Sequence, residues 1–246
     1  MREQKKMPIM EIFGPTIQGE GMVIGRKTMF VRTGGCDYSC SWCDSAFTWN
    51  GEEKARVLSA KEVYDEIEEI GYIDNVRNYN HVTITGGNPA LINKPMNDLI
   101  DMLHNDGVKV GLETQGSIYQ DWFLKIDDLT ISPKPPSSNM EINFNILDDI
   151  IDKLNKGNVN FSLKVVIFNE EDFEYAKYVH NRYKKYNRDF YVSVGNPDPY
   201  EDGNISQRLL NDLKNLWDLV LNDPAANDFK PLPQLHALIY DNERGV

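Results

Sequence analysis

The sequence has three cysteines and no fourth. An odd count excludes a closed disulfide framework, which needs an even number spread along the chain. Basic residues are also short: 26 Lys and Arg stand against 38 Asp and Glu, for a net charge of −12. A nucleic-acid footprint needs clustered Lys and Arg against phosphate, so no nucleic-acid partner is expected. No apolar run reaches the ~20 residues that cross a bilayer, so no membrane segment is expected either. The basic N-terminus, Met1 to Lys6, is not followed by the apolar core of a signal peptide. A reducing, cytoplasmic location is the expectation, and it suits unpaired thiols. The chain shows no repeat at a fixed residue period and no low-complexity stretch.

What remains is ordinary globular composition, 41% hydrophobic and 26% charged over 246 residues. That is enough chain to bury a substantial core as one domain or one large barrel. Residues 1–7 are expected to be a frayed tail. A strand over 9–13 precedes a Gly-rich loop over 14–25, and a β-type run follows over 27–33. Residues 46–58 have no regular pattern. Ser59 and Glu62 form a capping box, and Val63, Ile67 and Ile70 sit at helical spacing before Gly71.

From there, strands expected over 81–85, 108–113, 129–132, 162–168 and 190–194 alternate with amphipathic helices. The helices carry Met96, Leu99, Ile100 and Leu103; then Ile146, Leu147, Ile150, Ile151 and Leu154; then Phe173, Ala176, His180 and Tyr183. The last helix, over 205–220, is expected to turn Leu209, Leu210, Leu213 and Trp217 inward. Residues 231–246 show no periodicity. Six strand–helix alternations beginning at residue 27 predict βαβ units and a parallel sheet. Right-handed crossovers then bring the C-terminal end of every strand to one side.

The cysteines fall in one loop directly after the second strand: Cys36, Cys40 and Cys43, spaced C-x3-C-x2-C, with Trp42 before the last. Thiols this close can share a metal centre. A cubane iron–sulfur cluster normally takes four thiolates; three leave one iron open to a small molecule. The competing reading is zinc completed by a histidine such as His81 or His236. Zinc sites are usually built from paired C-x2-C units, and only one such pair exists here, but a zinc-stabilised binding module stays open at this point. The other distinctive blocks also follow strands: Gly86-Gly-Asn-Pro89, Glu113-Thr-Gln115, Ser132-Pro-Lys-Pro135, Ile167-Phe-Asn169 and Gly195-Asn196. Functional groups at strand C-termini are the rule of βα barrels.

The cysteine spacing with its preceding aromatic resembles the signature of the radical S-adenosylmethionine (SAM) enzymes. Gln18-Gly-Glu-Gly21, Phe30-Val-Arg-Thr-Gly-Gly-Cys36, Cys43-Asp-Ser45, Thr85-Gly-Gly-Asn-Pro89, Glu113-Thr-Gln-Gly116 and Ser132-Pro-Lys-Pro135, in that order, are similar to the 7-carboxy-7-deazaguanine synthase family. The resemblance runs from about residue 9 to the C-terminus. It implies an α/β fold, a partial (β/α)6 TIM-like barrel with some helices shortened, for which 46–58 and 115–128 are the candidate places. Residues 1–246 would form a single radical SAM domain closed by a C-terminal segment over 229–246. The implied cofactors are a [4Fe-4S] cluster on Cys36, Cys40 and Cys43, SAM on the open iron, and Mg2+ on Ser45.

SAM would meet Trp42, Cys43, Asp44, Gly87, Glu113, Ser132, Pro133 and Lys134. The substrate, 6-carboxy-5,6,7,8-tetrahydropterin, would meet Gln18, Gly19, Glu20, Arg32, Thr85, His236 and the terminal carboxylate of Val246. The implied reaction contracts the pterin ring and releases ammonia to give 7-carboxy-7-deazaguanine, the radical being carried by SAM rather than by a catalytic side chain. A flavodoxin- or ferredoxin-type electron donor and a homodimer are implied as well. Two positions depart from the family pattern: Asn88 replaces a glutamate, and Ser45 stands where threonine is frequent.

Several of these residues have plainer readings by themselves. A Gly-Gly-x-Pro ends many strands, Lys134 could be a solvated lysine in a Pro-rich turn, Ser45 a loop serine, and a lone histidine is more often structural. Arg32 is different. It sits in an otherwise apolar strand, where an unpaired charge is costly, and its fork suits a carboxylate. A radical SAM activase that makes a glycyl radical on a partner protein shares the cysteine motif, but it does not need Gln18, Glu20 and Arg32 around a small acid.

Overall fold

The computed structural model describes residues 5–199, 201 and 205–246. The chain opens with β1 (Lys6–Ile17), β2 (Lys27–Thr33), β3 (Arg56–Ser59) and α1 (Ala60–Ile70). A small hairpin follows, β4 (Tyr72–Ile73) and β5 (Val76–Arg77), then β6 (His81–Gly86), α2 (Lys94–Asn105), β7 (Lys109–Thr114) and β8 (Asp128–Ile131). The second half is α3 (Phe144–Lys156), β9 (Phe161–Ile167), α4 (Glu170–Tyr183), β10 (Phe190–Val194), α5 (Ser206–Asn222), β11 (Phe229–Leu232) and α6 (Leu235–Tyr240).

Among the described residues, one nine-stranded sheet runs β11-β10-β9-β8-β7-β6-β2-β1-β3. Every neighbour from β2 to β11 pairs in parallel, whereas β1 lies antiparallel between β2 and β3. The edges β3 and β11 do not pair with each other, so the barrel is partial. Six βα units start at β2, as the alternation predicts. The expected short crossover over 115–128 holds only a 3-10 turn, Asp121–Lys125, whose Trp122 and Phe123 are buried in place of a helix face. The stretch 46–58 instead leads through β3 into a full α1, so that crossover keeps its helix.

Local signals act where they were legible. The Ser59 hydroxyl accepts from Glu62 N and the Glu62 carboxylate accepts from Ser59 N, which closes the capping box on α1. β9 is buried along its whole length, as a parallel strand covered on both faces should be.

Three expectations need correction. Lys6 and Met7 are not tail: they pair with Ser59 and Leu58 of β3, and Met7 is fully buried; residues 1–4 lie outside the described part. Leu210 and Trp217 are about half exposed, at 48% and 50%, while Leu209 and Leu216 are buried. With 3.6 residues per turn, 209 and 216 share one stripe, and their neighbours 210 and 217 fall on its flank. The stretch 231–246, which lacked periodicity, contains the end of β11 and all of α6; β11 is too short to show a pattern and is specified by parallel pairing to β10.

Candidate active site

A cleft of about 520 Å³ opens at the C-terminal ends of the parallel strands. It is lined by every residue the sequence singled out for SAM, substrate or metal except Pro133, which is buried. Side chains alternate along extended backbone, so Ser132 and Lys134 face the cleft and the proline between them does not.

Cys36, Cys40 and Cys43 are free thiols on the cleft wall. Burial pushes all three thiols up, that of Cys40 to about 11. Such thiols ionise only against a bound cation. N–H groups point at the sulfurs: Tyr38 N at 3.5 Å and Gln115 Nε2 at 3.8 Å from Cys36 Sγ, and Trp49 Nε1 at 3.5 Å from Cys43 Sγ. Among the described residues, no three Cys, His, Asp or Glu side chains are grouped to hold a single metal ion. A cubane takes each thiolate on a different iron, and three free thiols on one wall could serve three of its irons.

Beside the sulfurs, β6 ends on glycines because the cysteine loop leaves no room. A Cβ on Gly87 would lie 2.0 Å from Gly35 O, and one on Gly86, where φ is +126°, would lie 2.3 Å from Thr33 O. Ser132 Oγ is buried and has no hydrogen-bond partner. An orphaned hydroxyl in a cleft fits a ligand that would satisfy it. The Lys134 ammonium stands 5.9 Å from the Trp42 ring centroid. Thiols, orphaned hydroxyl and lysine together suit a cluster and a polar cofactor.

On the other side of the cleft, Glu20 Oε2 pairs with Lys164 Nζ at 2.6 Å and Glu20 Oε1 accepts from Gln234 Nε2 at 2.6 Å. Burial alone would raise the Glu20 carboxyl; the Lys164 ammonium and nearby His236 outweigh it and hold the group down at about 2. Burial pushes the Glu113 carboxyl up, only partly countered by Lys164, and Glu113 accepts from Gln18 Nε2 at 3.0 Å. Burial would lower Lys164, but Glu20 and Glu113 hold it above its ordinary value.

Arg32 Nε donates to Glu11 at 2.6 Å and Nη1 to Ser45 Oγ at 2.9 Å; Ser45 Oγ in turn donates to Asp44 Oδ1 at 2.9 Å. The C-terminal segment crosses this side. Leu235 N donates to Gly19 O at 3.0 Å, and a Cβ on Gly19 would meet His236 Nδ1 at 2.3 Å. Arg244 reaches Glu11 and Glu53, and its guanidinium lies 3.5 Å from the Phe47 ring centroid. Val246 and, on β6, Thr85 complete the lining.

The radical SAM superfamily model matches residues 30–202. The 7-carboxy-7-deazaguanine synthase of Bacillus subtilis (strain 168) is 53% identical over 248 residues, covering 98% of this chain and 99% of that protein. The synthase of Bacillus cereus is 51% identical over 245 residues, with the same coverage of both chains. This chain belongs to the 7-carboxy-7-deazaguanine synthase family of the radical SAM superfamily. The crystal structure of QueE from Escherichia coli has the same fold, with a TM-score of 0.67 at 22% identity over 94% of this chain and 95% of that one. Family membership sets aside the zinc-stabilised module and the protein activase.

Some residues of this family member were not singled out from sequence. Lys164 is the clearest. It is a lone charge in the apolar run Phe161–Ile167, the same signal that marked Arg32. Gln115, Gln234 and Arg244 stood inside stretches matched to the family without a role of their own, and Trp49 carried no local signal. Asn88 stands where the family pattern has a glutamate. It does not line the cleft: it is fully buried, with both ends of its amide engaged inside the protein.

Proposed function

We infer that this chain converts 6-carboxy-5,6,7,8-tetrahydropterin to 7-carboxy-7-deazaguanine with loss of ammonia, as a radical SAM lyase in 7-deazapurine biosynthesis. The observation that carries the reading is that the three thiols and the ionic groups matched to a small acidic pterin line one cleft, in a chain about half identical, end to end, to synthases of that name.

SAM and a [4Fe-4S] cluster are the cofactors of the superfamily; when bound, they supply a one-electron reductive cleavage that generates a hydrogen-abstracting radical. Cys36, Cys40 and Cys43 would hold three irons, and the N–H groups of Tyr38, Gln115 and Trp49 would steady the thiolates. Gly87, the Trp42–Asp44 backbone, the unpartnered Ser132 hydroxyl and Lys134 would hold SAM, with Glu113 in the same pocket. Glu20 stays ionised beside Lys164 and would accept from the guanidine-like edge of the pterin on the lone pairs Lys164 and Gln234 leave free. Arg32 uses two of its five N–H donors on Glu11 and Ser45; the others would take the substrate carboxylate. Gln18, Gly19, Thr85, His236 and the Val246 carboxylate would complete the pterin site and exclude water.

Ser45 and substrate oxygens would bind Mg2+, a cation that prefers oxygen ligands and keeps waters. The protein would work as a single cytoplasmic radical SAM domain, 229–246 closing the cleft, as a homodimer reduced by a flavodoxin- or ferredoxin-type donor and with no nucleic-acid or membrane partner. The test is anaerobic incubation of the reconstituted protein with reductant, SAM, Mg2+ and the carboxytetrahydropterin. The deazaguanine acid is the expected product, with SAM regenerated; its absence from iron-loaded protein would reject the reading.

A further inference from the structure

Asn88 sits at the end of β6, immediately after the two glycines that press on the cysteine loop. Its Nδ2 donates to Asp37 Oδ1 at 2.8 Å and to Ser117 Oγ at 3.1 Å. Its Oδ1 accepts from Thr114 Oγ1 at 3.0 Å and from Ala90 N at 3.2 Å. A carboxamide has two N–H donors and two acceptor lone pairs, so the side chain is saturated. Its backbone N donates to Gly35 O at 2.8 Å. One residue thus joins the cysteine loop, its own 3-10 turn Pro89–Leu91, and the exit of β7.

Asp37 is the residue after Cys36. The oxygen that accepts from Asn88 also accepts from Gln115 Nε2 at 2.7 Å, and that same Gln115 nitrogen lies 3.8 Å from Cys36 Sγ. The chain Asn88–Asp37–Gln115 therefore ends on a cluster-facing sulfur. The backbone around it has no slack: a Cβ added to Gly87 would lie only 2.0 Å from Gly35 O.

We propose that Asn88 is a positioning residue for Cys36, acting through Asp37 and Gln115, and that Asn88 and Asp37 are a matched donor–acceptor pair. The match is directional. A carboxylate at 88 has no N–H to give Asp37 and would put two like charges within hydrogen-bond distance at a position of zero exposure. This accounts for an amide at 88 in a chain that carries aspartate at 37. The proposal rests on the reading of the three cysteines as the cluster site.

The test compares wild type, N88D, D37N and the swap N88D/D37N after anaerobic reconstitution. The readouts are iron and sulfide per chain, iron retention against a chelator, the electron paramagnetic resonance spectrum of the reduced cluster, and the melting temperature of the iron-free chain. In N88D, iron retention should weaken roughly ten- to a hundred-fold, the usual effect of losing a partner that orients a metal ligand. In the swap, the carboxylate now at position 88 can accept from Ala90 N, from Thr114 and from the amide nitrogen now at position 37. In wild type a single oxygen of Asp37 serves both Asn88 and Gln115, so the nitrogen that fills that place in the swap meets Gln115 Nε2 donor to donor, and the link to Cys36 stays broken. The melting temperature of the iron-free chain should return towards wild type, while iron retention stays weakened.

If N88D does not fold, N88A removes the amide without adding charge and should lose iron while melting as a folded protein. Full iron retention in N88D or N88A overturns the proposal, as does a folded swap that retains iron as wild type does although its link to Gln115 is broken. Failure of the wild type to take up iron and sulfide would instead overturn the cluster reading on which the proposal stands.

Discussion

At the residue scale, the decisive feature is a buried charge set that has to be neutralised internally. Lys164 is nearly buried between Glu20 and Glu113. Removing one partner of a buried pair leaves an uncompensated charge and costs about 3–5 kcal/mol. K164M should therefore lower the melting temperature and raise KM for the pterin more than it lowers SAM affinity; equal losses of both would contradict the assignment of Glu20 to the pterin. The pH dependence has a definite sign. A carboxyl lowered from 4.5 to about 2 contributes stability that is present above pH 4.5 and lost as pH falls through about 2. That displacement is worth on the order of 3 kcal/mol. Melts of wild type and E20Q should accordingly converge as pH drops from 4.5 towards 2. Ser45 gives a separate check on the proposed metal. S45T keeps the hydroxyl and should keep Mg2+ stimulation, whereas S45A should lose it with iron content unchanged.

At the element scale, the C-terminal segment behaves as a strap rather than a tail. Two of its holds border the cleft: Gly19, where any side chain would strike His236, and Arg244, whose guanidinium bridges Glu11 and Glu53 over Phe47. Glu11 gives one oxygen to Arg244 and the other to Arg32, so the strap and the proposed carboxylate-binding arginine share an anchor. The Arg244–Glu11 pair is partly exposed and worth about 1 kcal/mol or less to stability, and the pair with Glu53 lies at the surface. R244Q should thus melt close to wild type, take up a full complement of iron, and show a raised KM for the pterin. G19A should give the same kinetic pattern more strongly; a wild-type KM in both would show that the strap does not form part of the pterin site.

The element scale is also where local reading worked unevenly. The capping box at Ser59 and the helical stripes of α2 and α3 specify themselves, because a helix forms from contacts within a turn. β11 and the N-terminal end of β1 do not, because their partners lie far off in the chain and their own few residues carry no period. On α5 the apolar positions were visible, but which flank of the stripe is covered depends on what packs there.

At the scale of the whole molecule, the two ends of the barrel do different work. The C-terminal ends of the strands carry the cleft. At the opposite end, where β2, β6 and β8 begin, His81 is fully buried, with Nδ1 2.8 Å from Thr28 Oγ1 and Nε2 without a hydrogen-bond partner. Burial, with Arg26 nearby, lowers the imidazole to about 4. A base lowered on folding is neutral in the folded protein at pH 7 and destabilises the fold as pH falls from 6.5 through about 4, because the unfolded chain takes the proton first. Acid sensitivity should therefore begin below pH 6.5, before the carboxylates titrate. Hydrogen exchange should show opening around β2, β6 and β8 with cluster content unaffected at first; acid opening that starts at the cleft would disagree.

The amino-acid sequence alone determined the strand–helix alternation, the placing of functional blocks directly after strands, and the spacing of the three cysteines in one loop. These are properties of neighbours along the chain, where period, turn chemistry and spacing act directly. Only the tertiary structure decided who satisfies the buried charges and amides. Lys164 answers Glu20 across 144 positions, and Asn88 answers Asp37 across 51. Such pairs form because burial makes an unpaired polar group costly, and burial belongs to the folded sheet, not to any local stretch of it.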